Sequence, residues 1–488
     1  MNILQVLPEL NYGGVETGVL DFSKYLVEHG HKAVVVCNGG ALIEELKANG
    51  VIYYQLPVDK KSPISIFKTV PKLIEIIKKE NIDLVHARSR VPAWISYFAS
   101  RKAQVTFITT AHGYYSRHIF SNAMGWGKLV IAVSKVIARH MVEGFGVPYE
   151  RIRIIPRGVN LKRFEFILPS NKKHHEVRIG IIGRLSPIKG YSYFLRAMAK
   201  VARIKPFVKI WIIGEAKKGK ENYKDELTVL VRRLGLGHCV EFLGRRQDIP
   251  QLLNQLDISV LSSIVPEAFG RVILESQAAG VPVVATSVGG VVDIIDDNLT
   301  GLLVPARDVE SLASRILCLI EDKNLCDNLA KNARKKLEEN FTLEIMADKT
   351  IDVYKEALKI FNILVIKLTA LGDAILISPS LRSLRKKFPL GTISCLTTPE
   401  SAEVLRNCPY INELIIYDSK NKHKGLKGLW LLAKDLQKRN FNISIDFQNN
   451  RKSHLLGFLS LSPLRYGYAN RKLDFLLNKK TKDIKNIG

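Results

Sequence analysis

The run Pro266-Glu267-Ala268-Phe269-Gly270-Arg271-Val272-Ile273-Leu274-Glu275 carries the most distinctive chemistry in the sequence. Glu267 falls in a loop after the apolar segment DISVLS (257–262), and Glu275 falls two turns along the helix expected to begin there. Eight helical positions amount to about 800° of rotation, so the two carboxylates are expected to point in similar directions. Gly270 would leave backbone N–H groups open at the helix start. Two carboxylates with free amides between them can hold a sugar, its ribose and a phosphate together. The competing reading is an amphipathic helix with surface glutamates. It leaves Gly270 and the nearby Gly280-Val281-Pro282 and Gly289-Gly290 turns without a reason.

A second set of residues supplies positive charge. Gly183-Arg184-Leu185-Ser186-Pro187-Ile188-Lys189-Gly190 follows the apolar run VRIGIIG and precedes a helix-like stretch. Arg184 offers a planar fork of donors and Lys189 a compact charge. Both would lie on the carboxyl edge of a parallel sheet, where such sheets bind ligands, and two cations there suit a pyrophosphate whose charge grows as it departs. A solvated basic loop is the alternative. Asn11-Tyr12-Gly13-Gly14-Val15-Glu16 adds a glycine pair at a helix start, which favours close approach of an anion. It is not a Gly-x-Gly-x-x-Gly fingerprint and argues against a nicotinamide dehydrogenase. His112 ends the apolar run VTFITTAH before Gly113, so its ring is expected to face a cleft. Arg88 and Arg90 follow a strand-like segment and could grip an acceptor phosphate or carboxylate, or lie in a solvated turn. No Asp-x-Asp occurs, so no metal is expected on a diphosphate and no cofactor is expected at all.

These residues need a frame. Short β-branched runs (AVVVCN at 33–38, DLVHA at 83–87, VKIWIIG at 208–214, VPVVAT at 281–286) alternate with amphipathic stretches such as ETGVLDFSKYLVEHG. Continuous apolar strands separated by helices predict parallel sheets covered on both faces. The polar stretch 161–176 with Pro169 reads as a linker between two lobes. After Lys359 a new strand begins without a spacer. Met1-Asn2-Ile3-Leu4 is echoed by Phe361-Asn362-Ile363-Leu364, as expected for a further module joined head to tail. The expected division is 1–165, 166–345, a returning helix over 346–360, and 361–488.

A hydrophobic fraction of 47% beside 24% charged residues is that of a folded chain with several cores, and 488 residues imply about three domains. The net charge of +27 attracts polyanions: nucleic acid, anionic lipid or phosphorylated glycan. Much of it comes as scattered doublets, among them Lys60-Lys61, Arg232-Arg233, Arg245-Arg246 and Lys386-Lys387, which read as solvated faces or as loose attachment to an anionic membrane. The basic amphipathic stretch 64–79, interrupted by Pro71, could rest on such a surface or be a plain surface helix. No aromatic-basic recognition motif supports a nucleic-acid partner. Six widely spread cysteines read as reduced thiols. With a strand at the very N-terminus and no apolar run near the roughly 18 residues of a membrane span, the expected location is cytoplasmic, with any membrane contact peripheral.

The stretches NYGGVET, TTAHGYYS, VIAVSKVIARHM, IIPRGVN, GRLSPIKGYSYFLRA, PEAFGRVILESQAAGVPVVAT and GGVVDII run in order through residues 1–360, and this segment resembles glycosyltransferase family 4, a retaining family of GT-B fold. The resemblance implies two Rossmann-like lobes with a nucleotide-sugar donor in their cleft. It implies Arg184 and Lys189 on the donor diphosphate and Glu275 on the ribose hydroxyls. Glu267 and the Phe269 and Gly270 amides would meet the transferred sugar, His112 would face that sugar, and Gly14 would approach its phosphates, with Gly13 beside it. Gly214-Glu215-Ala216 departs from the Gly-x-Gly-Pro of many relatives. Residues 362–488, through NILVIKLTALGDAILISPSLRSLRKKFP, PYINELIIYD, IDFQNNRKSHLLGFLSL and RYGY, resemble the N-terminal lobe of the heptosyltransferases of glycosyltransferase family 9. There Asp373 would be the general base, or else a helix cap. This module stops before a nucleotide-binding lobe and is expected not to be catalytic alone; it would bind an acceptor or be the remnant of a truncated fusion.

The expected fold is therefore α/β: a GT-B pair of parallel-sheet lobes followed by a third, partial Rossmann-like module. The expected activity is sugar transfer onto an anionic glycan or glycolipid of the cell envelope, lipopolysaccharide core or a related surface polysaccharide. The rivals are transfer onto a soluble acceptor and a non-catalytic nucleotide-sugar or glycan binder.

Overall fold

The computed structural model describes residues 1–172, 176–216, 219, 222–368, 371–389, 391–469 and 473–481. Residues 173–175 of the expected linker and residues 482–488 lie outside the described residues.

Three wholly parallel sheets follow one another along the chain. The first contains β1 (Asn2–Val6), β2 (Lys32–Cys37), β3 (Ile52–Gln55), β4 (Leu84–Ala87), β5 (Thr106–Ala111), β6 (Val130–Ala132) and β7 (Ile152–Ile154), in the order β3-β2-β1-β4-β5-β6-β7. The second contains β8 (Val177–Ile182), β9 (Val208–Ile213), β10 (Val240–Gly244), β11 (Ile258–Leu261), β12 (Val283–Thr286) and β13 (Leu302–Val304), in the order β10-β9-β8-β11-β12-β13. The third contains β14 (Asn362–Ile366), β15 (Thr392–Thr397), β16 (Glu413–Ile416), β17 (Ile443–Asp446), β18 (Leu464–Tyr468) and β19 (Lys479–Thr481), in the order β16-β15-β14-β17-β18-β19.

In each sheet the first strand sits in the middle, and the direction of winding reverses beside it. Such a strand is covered on both faces, which is why Ile3, Leu4 and Val6 in β1 and Ile363, Leu364 and Val365 in β14 have no exposed surface and no polar alternation. The echo between positions 2–4 and 362–364 is thus an echo of two central strands. Carboxyl-edge loops at a reversal point open into a crevice, so this topology preselects where ligands can bind.

The chain crosses between the first two lobes twice, and the crossings lie side by side. Val159 N–H donates to the Phe341 carbonyl at 2.9 Å, and Leu343 N–H donates to the Val159 carbonyl at 3.0 Å. The helix Leu343–Lys359 then returns to the first lobe, where Ala347, Ile351, Tyr354 and Ala357 join the core around Ile3, Phe22 and Leu26. Tyr354 Oη lies 2.7 Å from His86 Nδ1, and Thr110 Oγ1 lies 2.6 Å from His86 Nε2. Burial, followed by the neighbouring Arg88 and His112, pushes the fully buried His86 well below the usual imidazole range, so it is neutral.

The third module docks by its amino edge on the amino edge of the first sheet. Arg151 Nη1, just before β7, donates to the Lys438 carbonyl at 2.9 Å. Asn440 Nδ2, just before β17, donates to the Trp126 carbonyl at 2.5 Å. Lys128 Nζ sits 5.2 Å from the ring centre of Phe361, at the foot of β14. Burial holds this ammonium down at about 8. The carboxyl edge of the third sheet therefore faces away from the first two lobes.

Pro71 does not interrupt its segment: one helix spans Pro63–Lys79, with Pro71 on the solvent side where the lost N–H bond is least costly. Among the described residues no helix is long and apolar enough to cross a membrane. All six cysteines are free thiols, and four of them (Cys37, Cys239, Cys326 and Cys395) are buried.

Candidate active site in the cleft between the first two sheets

The carboxyl edges of the first and second sheets enclose a cavity of about 1210 Å³. Its walls include Gly13, Gly14 and His112 from the first lobe and Arg184, Lys189, Glu267, Phe269, Gly270 and Glu275 from the second. Nine of the residues singled out from sequence thus share one cleft.

Lys189 is built into position by its backbone. It ends the single 3₁₀ turn Pro187–Lys189, and Gly190 follows at φ +70°, from which the helix Tyr191–Ile204 departs. A Cβ on Gly190 would lie 1.9 Å from the Ser262 carbonyl oxygen, so only glycine allows this turn to press against the end of β11. Ser262 Oγ donates back to the Lys189 carbonyl at 3.0 Å. The ammonium so placed donates to Glu267 Oε1 at 2.5 Å, and Ser263 Oγ donates to the same oxygen. Arg184, one residue past Gly183 at the end of β8, is exposed on the cavity wall.

The two glutamates meet the cleft by a different route from the one the spacing suggested. The helix runs Arg271–Ala278 and begins four residues after Glu267, so a helical rotation from 267 to 275 does not describe them. Glu267 is instead held by an isolated parallel bridge to Gly289, with the Gly290 N–H donating to its carbonyl at 2.7 Å. That contact accounts for the Gly289-Gly290 pair. Gly270 is the N-cap at φ +100° and offers no side chain to the helix start. Phe269 is buried edge-on to Phe341 at 6.2 Å, so only its backbone can serve a ligand.

Glu275 lies 2.9 Å from Arg271 Nε. Arg271 reaches across the cleft: its Nη1 donates to the Gly14 carbonyl at 2.8 Å, and its Nη2 lies 3.8 Å from Asp21. Burial raises the Asp21 carboxyl, while Arg271 and Arg163 pull it back down. Gly14 opens the helix Gly14–Glu28, and a Cβ there would come within 3.2 Å of Arg157 Nη1 and 3.6 Å of Arg271 Cδ. The small residue lets two guanidinium groups close on a helix N-terminus, a junction of positive partial and full charge suited to phosphate.

His112 follows β5 directly. Arg157 Nη2 lies 3.2 Å from its Nδ1. A guanidinium has no acceptor, so Nδ1 accepts and, in the neutral ring, the proton sits on Nε2. Burial, then the charges of Arg157 and Arg88, hold this imidazole well below its usual range and keep it neutral. Nε2 is buried and has no partner among the described residues. The result is an unsatisfied N–H donor on a residue of the cavity wall. Burial also brings Arg157 down to about 10.

Three expected site residues lie elsewhere. Arg88 donates to Gln5 Oε1 at 2.5 Å and 3.1 Å and covers the Phe22 ring at 5.5 Å, so its fork is occupied within the lobe. Arg90 sits 5.8 Å over the Tyr115 ring. Asp373 is on the third module, in the helix Leu371–Leu376 and 2.9 Å from the nearly buried Lys367 Nζ. It is inside the helix rather than its cap. The sequence reading missed Arg157 and Arg271, although both stand within segments quoted for the family resemblance. It also placed Arg245-Arg246 among solvated doublets, whereas both line the cavity, Arg245 over the Tyr12 ring at 5.7 Å. The departure at Gly214-Glu215-Ala216 leaves the local chain anchored: Leu185 N–H donates to the Glu215 carbonyl at 2.9 Å.

Two Rossmann-like lobes with facing carboxyl edges and a polar, largely cationic cleft define a GT-B glycosyltransferase. Residues 12–163 match the family model of Glycosyltransferase Family 4, and residues 163–336 match that of Glycosyl transferases group 1. A crystal structure of a glycosyltransferase from Rickettsia africae is similar at 32% identity and TM-score 0.66, covering 73% of this chain and 98% of that one. The chain belongs to this family of glycosyltransferases. Anabaena Alr3699/HepE, in a crystal structure with UDP and glucose, is similar at 26% identity and TM-score 0.65, covering 73% of this chain and 99% of that one. The Escherichia coli UDP-Gal:alpha-D-GlcNAc-diphosphoundecaprenol alpha-1,3-galactosyltransferase is 26% identical over 61% of this chain and 79% of its own length. Both family matches end before the third module.

Proposed function

We propose that the cleft transfers a sugar, with retention of anomeric configuration and without a metal, from a nucleotide donor to a lipid-linked or other envelope glycan. Lipopolysaccharide core or a related surface polysaccharide is the favoured class of acceptor. The observation that carries this reading is the meeting of Arg184, Lys189 and Glu267 with the Gly14 helix start and the His112 donor around one cavity. Cleavage at the anomeric carbon leaves about two negative charges on the departing nucleotide. Fixed cations and helix amides stabilise that charge more in the transition state than in the ground state. Lys189 is presented by a rigid turn and its Glu267 contact, so little reorganisation is needed when charge develops. His112 Nε2–H can satisfy one hydroxyl or oxyanion of the transferred sugar. Glu275, oriented by Arg271, faces the ribose in this reading, and Arg184 and Lys189 would supply the positive charge that a metal ion otherwise provides.

The UDP and glucose in the Anabaena relative support a nucleotide-sugar donor. The lipid-diphosphate acceptor named for the Escherichia coli relative supports an anionic glycolipid acceptor. The proposal puts the transfer at a membrane surface, on the cytoplasmic side. Residues 362–488 are, in this reading, a heptosyltransferase-like acceptor-side lobe. A thermal-shift screen against UDP-, GDP- and ADP-sugars tests the core of the proposal: a donor at 100 times its dissociation constant adds about 2.7 kcal/mol. Absence of a shift with every nucleotide sugar refutes it. The anomeric configuration of the product, read by NMR, tests retention, and full turnover in EDTA tests metal independence.

A further inference from the structure

The helix Gly425–Lys438 on the third module buries Gly428, Leu432, Ala433 and Leu436. Its opposite face is not polar in the ordinary way. Leu426 is 87% exposed, Trp430 55% and Leu431 47%. These positions, with Lys427 and Lys434, recur at spacings of one, three and four and so form one stripe. Lys434 Nζ lies 3.6 Å from the Trp430 ring centre, so its ammonium sits over the face of the indole. The approach to the helix adds Lys420, Lys422 and Lys424, all exposed. From Ser419 to Lys434 there are five lysines and no acidic residue. The carboxylates nearby are engaged: Asp418 accepts from the Lys420 and Asn421 N–H groups, Asp435 pairs with Arg439 at 3.0 Å, and Glu400 lies 3.7 Å from Lys420 Nζ, at the edge of the cluster.

Position in the fold decides what can reach this stripe. The helix ends at Lys438, whose carbonyl is held by Arg151 of the first lobe. Its beginning, with Leu426 and the lysines, therefore stands about 20 Å farther out, at 1.5 Å per residue, on the carboxyl edge that points away from the first two lobes. Residues 361–488 hold 22 Lys and Arg against nine Asp and Glu, so the whole module is positive. An exposed leucine and tryptophan set in a ring of lysines match the two layers of an anionic bilayer surface. The indole and leucines suit the headgroup–acyl boundary, and the ammonium groups suit the phosphates above it. The helix Pro63–Lys79 also exposes Ile64 and Phe67, but Glu75 shares its exposed face and no tryptophan is present on it.

We propose that the stripe Leu426–Lys434, with Lys420, Lys422 and Lys424, docks the third module on anionic phospholipid. It deepens the membrane-side reading of the acceptor given above, and it makes the extra module a tether that leaves the catalytic cleft free. The test is flotation of the full chain with phosphatidylglycerol-containing vesicles and with pure phosphatidylcholine vesicles, together with Trp430 emission. The expected result is binding to the anionic vesicles alone, weakened by salt, with a blue shift that Trp430→Phe removes. Lys422→Glu/Lys424→Glu/Lys427→Glu and Leu426→Ser/Trp430→Ser should each weaken binding at least tenfold, while nucleotide-sugar turnover measured without vesicles is unchanged. Equal binding of these variants and the parent chain overturns the proposal. So does binding lost only in Ile64→Ser/Phe67→Ser, or a parent chain that floats with neither vesicle. Loss of turnover in the absence of vesicles would instead strike at the transferase reading.

Discussion

The first and third sheets are built to the same plan, with their opening strands in the centre and the same order of neighbours. They differ in what their carboxyl edges face. The first looks across about 1210 Å³ of cleft at the second sheet, and two of its polar groups are turned to that side: His112 Nε2 has no partner among the described residues, and the Gly14 carbonyl is taken by Arg271 of the other lobe. The third looks outward. Its Asp373 is matched locally by Lys367, and its Asp446 takes Ser453 Oγ and His454 Nδ1, each at 2.7 Å. A sheet edge becomes a site when a second edge opposes it, because opposition brings fixed charges from two directions onto one ligand and excludes water between them.

That contrast can be broken most strongly at Lys189. Lys189→Ala should lower turnover at least tenfold, about 1.4 kcal/mol of transition-state stabilisation, with the protein still folded by circular dichroism. Near-normal turnover removes Lys189 from the mechanism. Because Lys189 and Glu267 act as a pair, combining Lys189→Ala with Glu267→Gln should cost less than the product of the two single effects. Full multiplication would mean that the pair is not a unit.

Gly190→Ala sharpens the comparison through the backbone. At φ +70° with a carbonyl in the way, the methyl group should cost about 2–3 kcal/mol of stability in the second lobe, read as a lowered midpoint in urea. An unchanged midpoint would show that the turn can relax.

The effect of pH should be smaller. His86 and His112 have native pKa values below the unfolded value, so the unfolded chain binds more protons as pH falls below about 6.5. Stability should be flat between about pH 6.5 and 8 and fall steadily beneath 6.5, and His86→Gln should make the decline shallower. A decline that begins only near the carboxylate range would contradict neutral buried imidazoles. Smallest of all, a chain ending after Lys359 should keep turnover on a detergent-dispersed acceptor within about twofold, since domains with their own cores fold alone. A large loss would mean that the third module supports the cleft after all.

Much of this was legible from the residues. Apolar β-branched runs announce parallel strands because both faces of such strands are covered, and this held from Asn2 to Tyr468. Glycine-bounded loops after those runs located Gly14, Lys189 and Glu267, since tight turns and carboxyl-edge loops have a local signature. The orientation of Glu267 did not have one. It depends on a bridge to Gly289, more than twenty residues away, which no helical count includes. Arg88 looked as available as Arg184, and only the packing of Gln5 and Phe22 around it shows that it is occupied.

By itself, then, the order of amino acids determined the class of fold, the division into similar α/β units and the kinds of charge in the loops, because these follow from hydrophobic period and turn chemistry within short windows. The tertiary structure alone decided which loops meet. Arg157 and Arg271 became site residues, and the third module was turned outward, through contacts between segments far apart in the chain. The energy of those contacts depends on position in space, and local patterning carries no record of it.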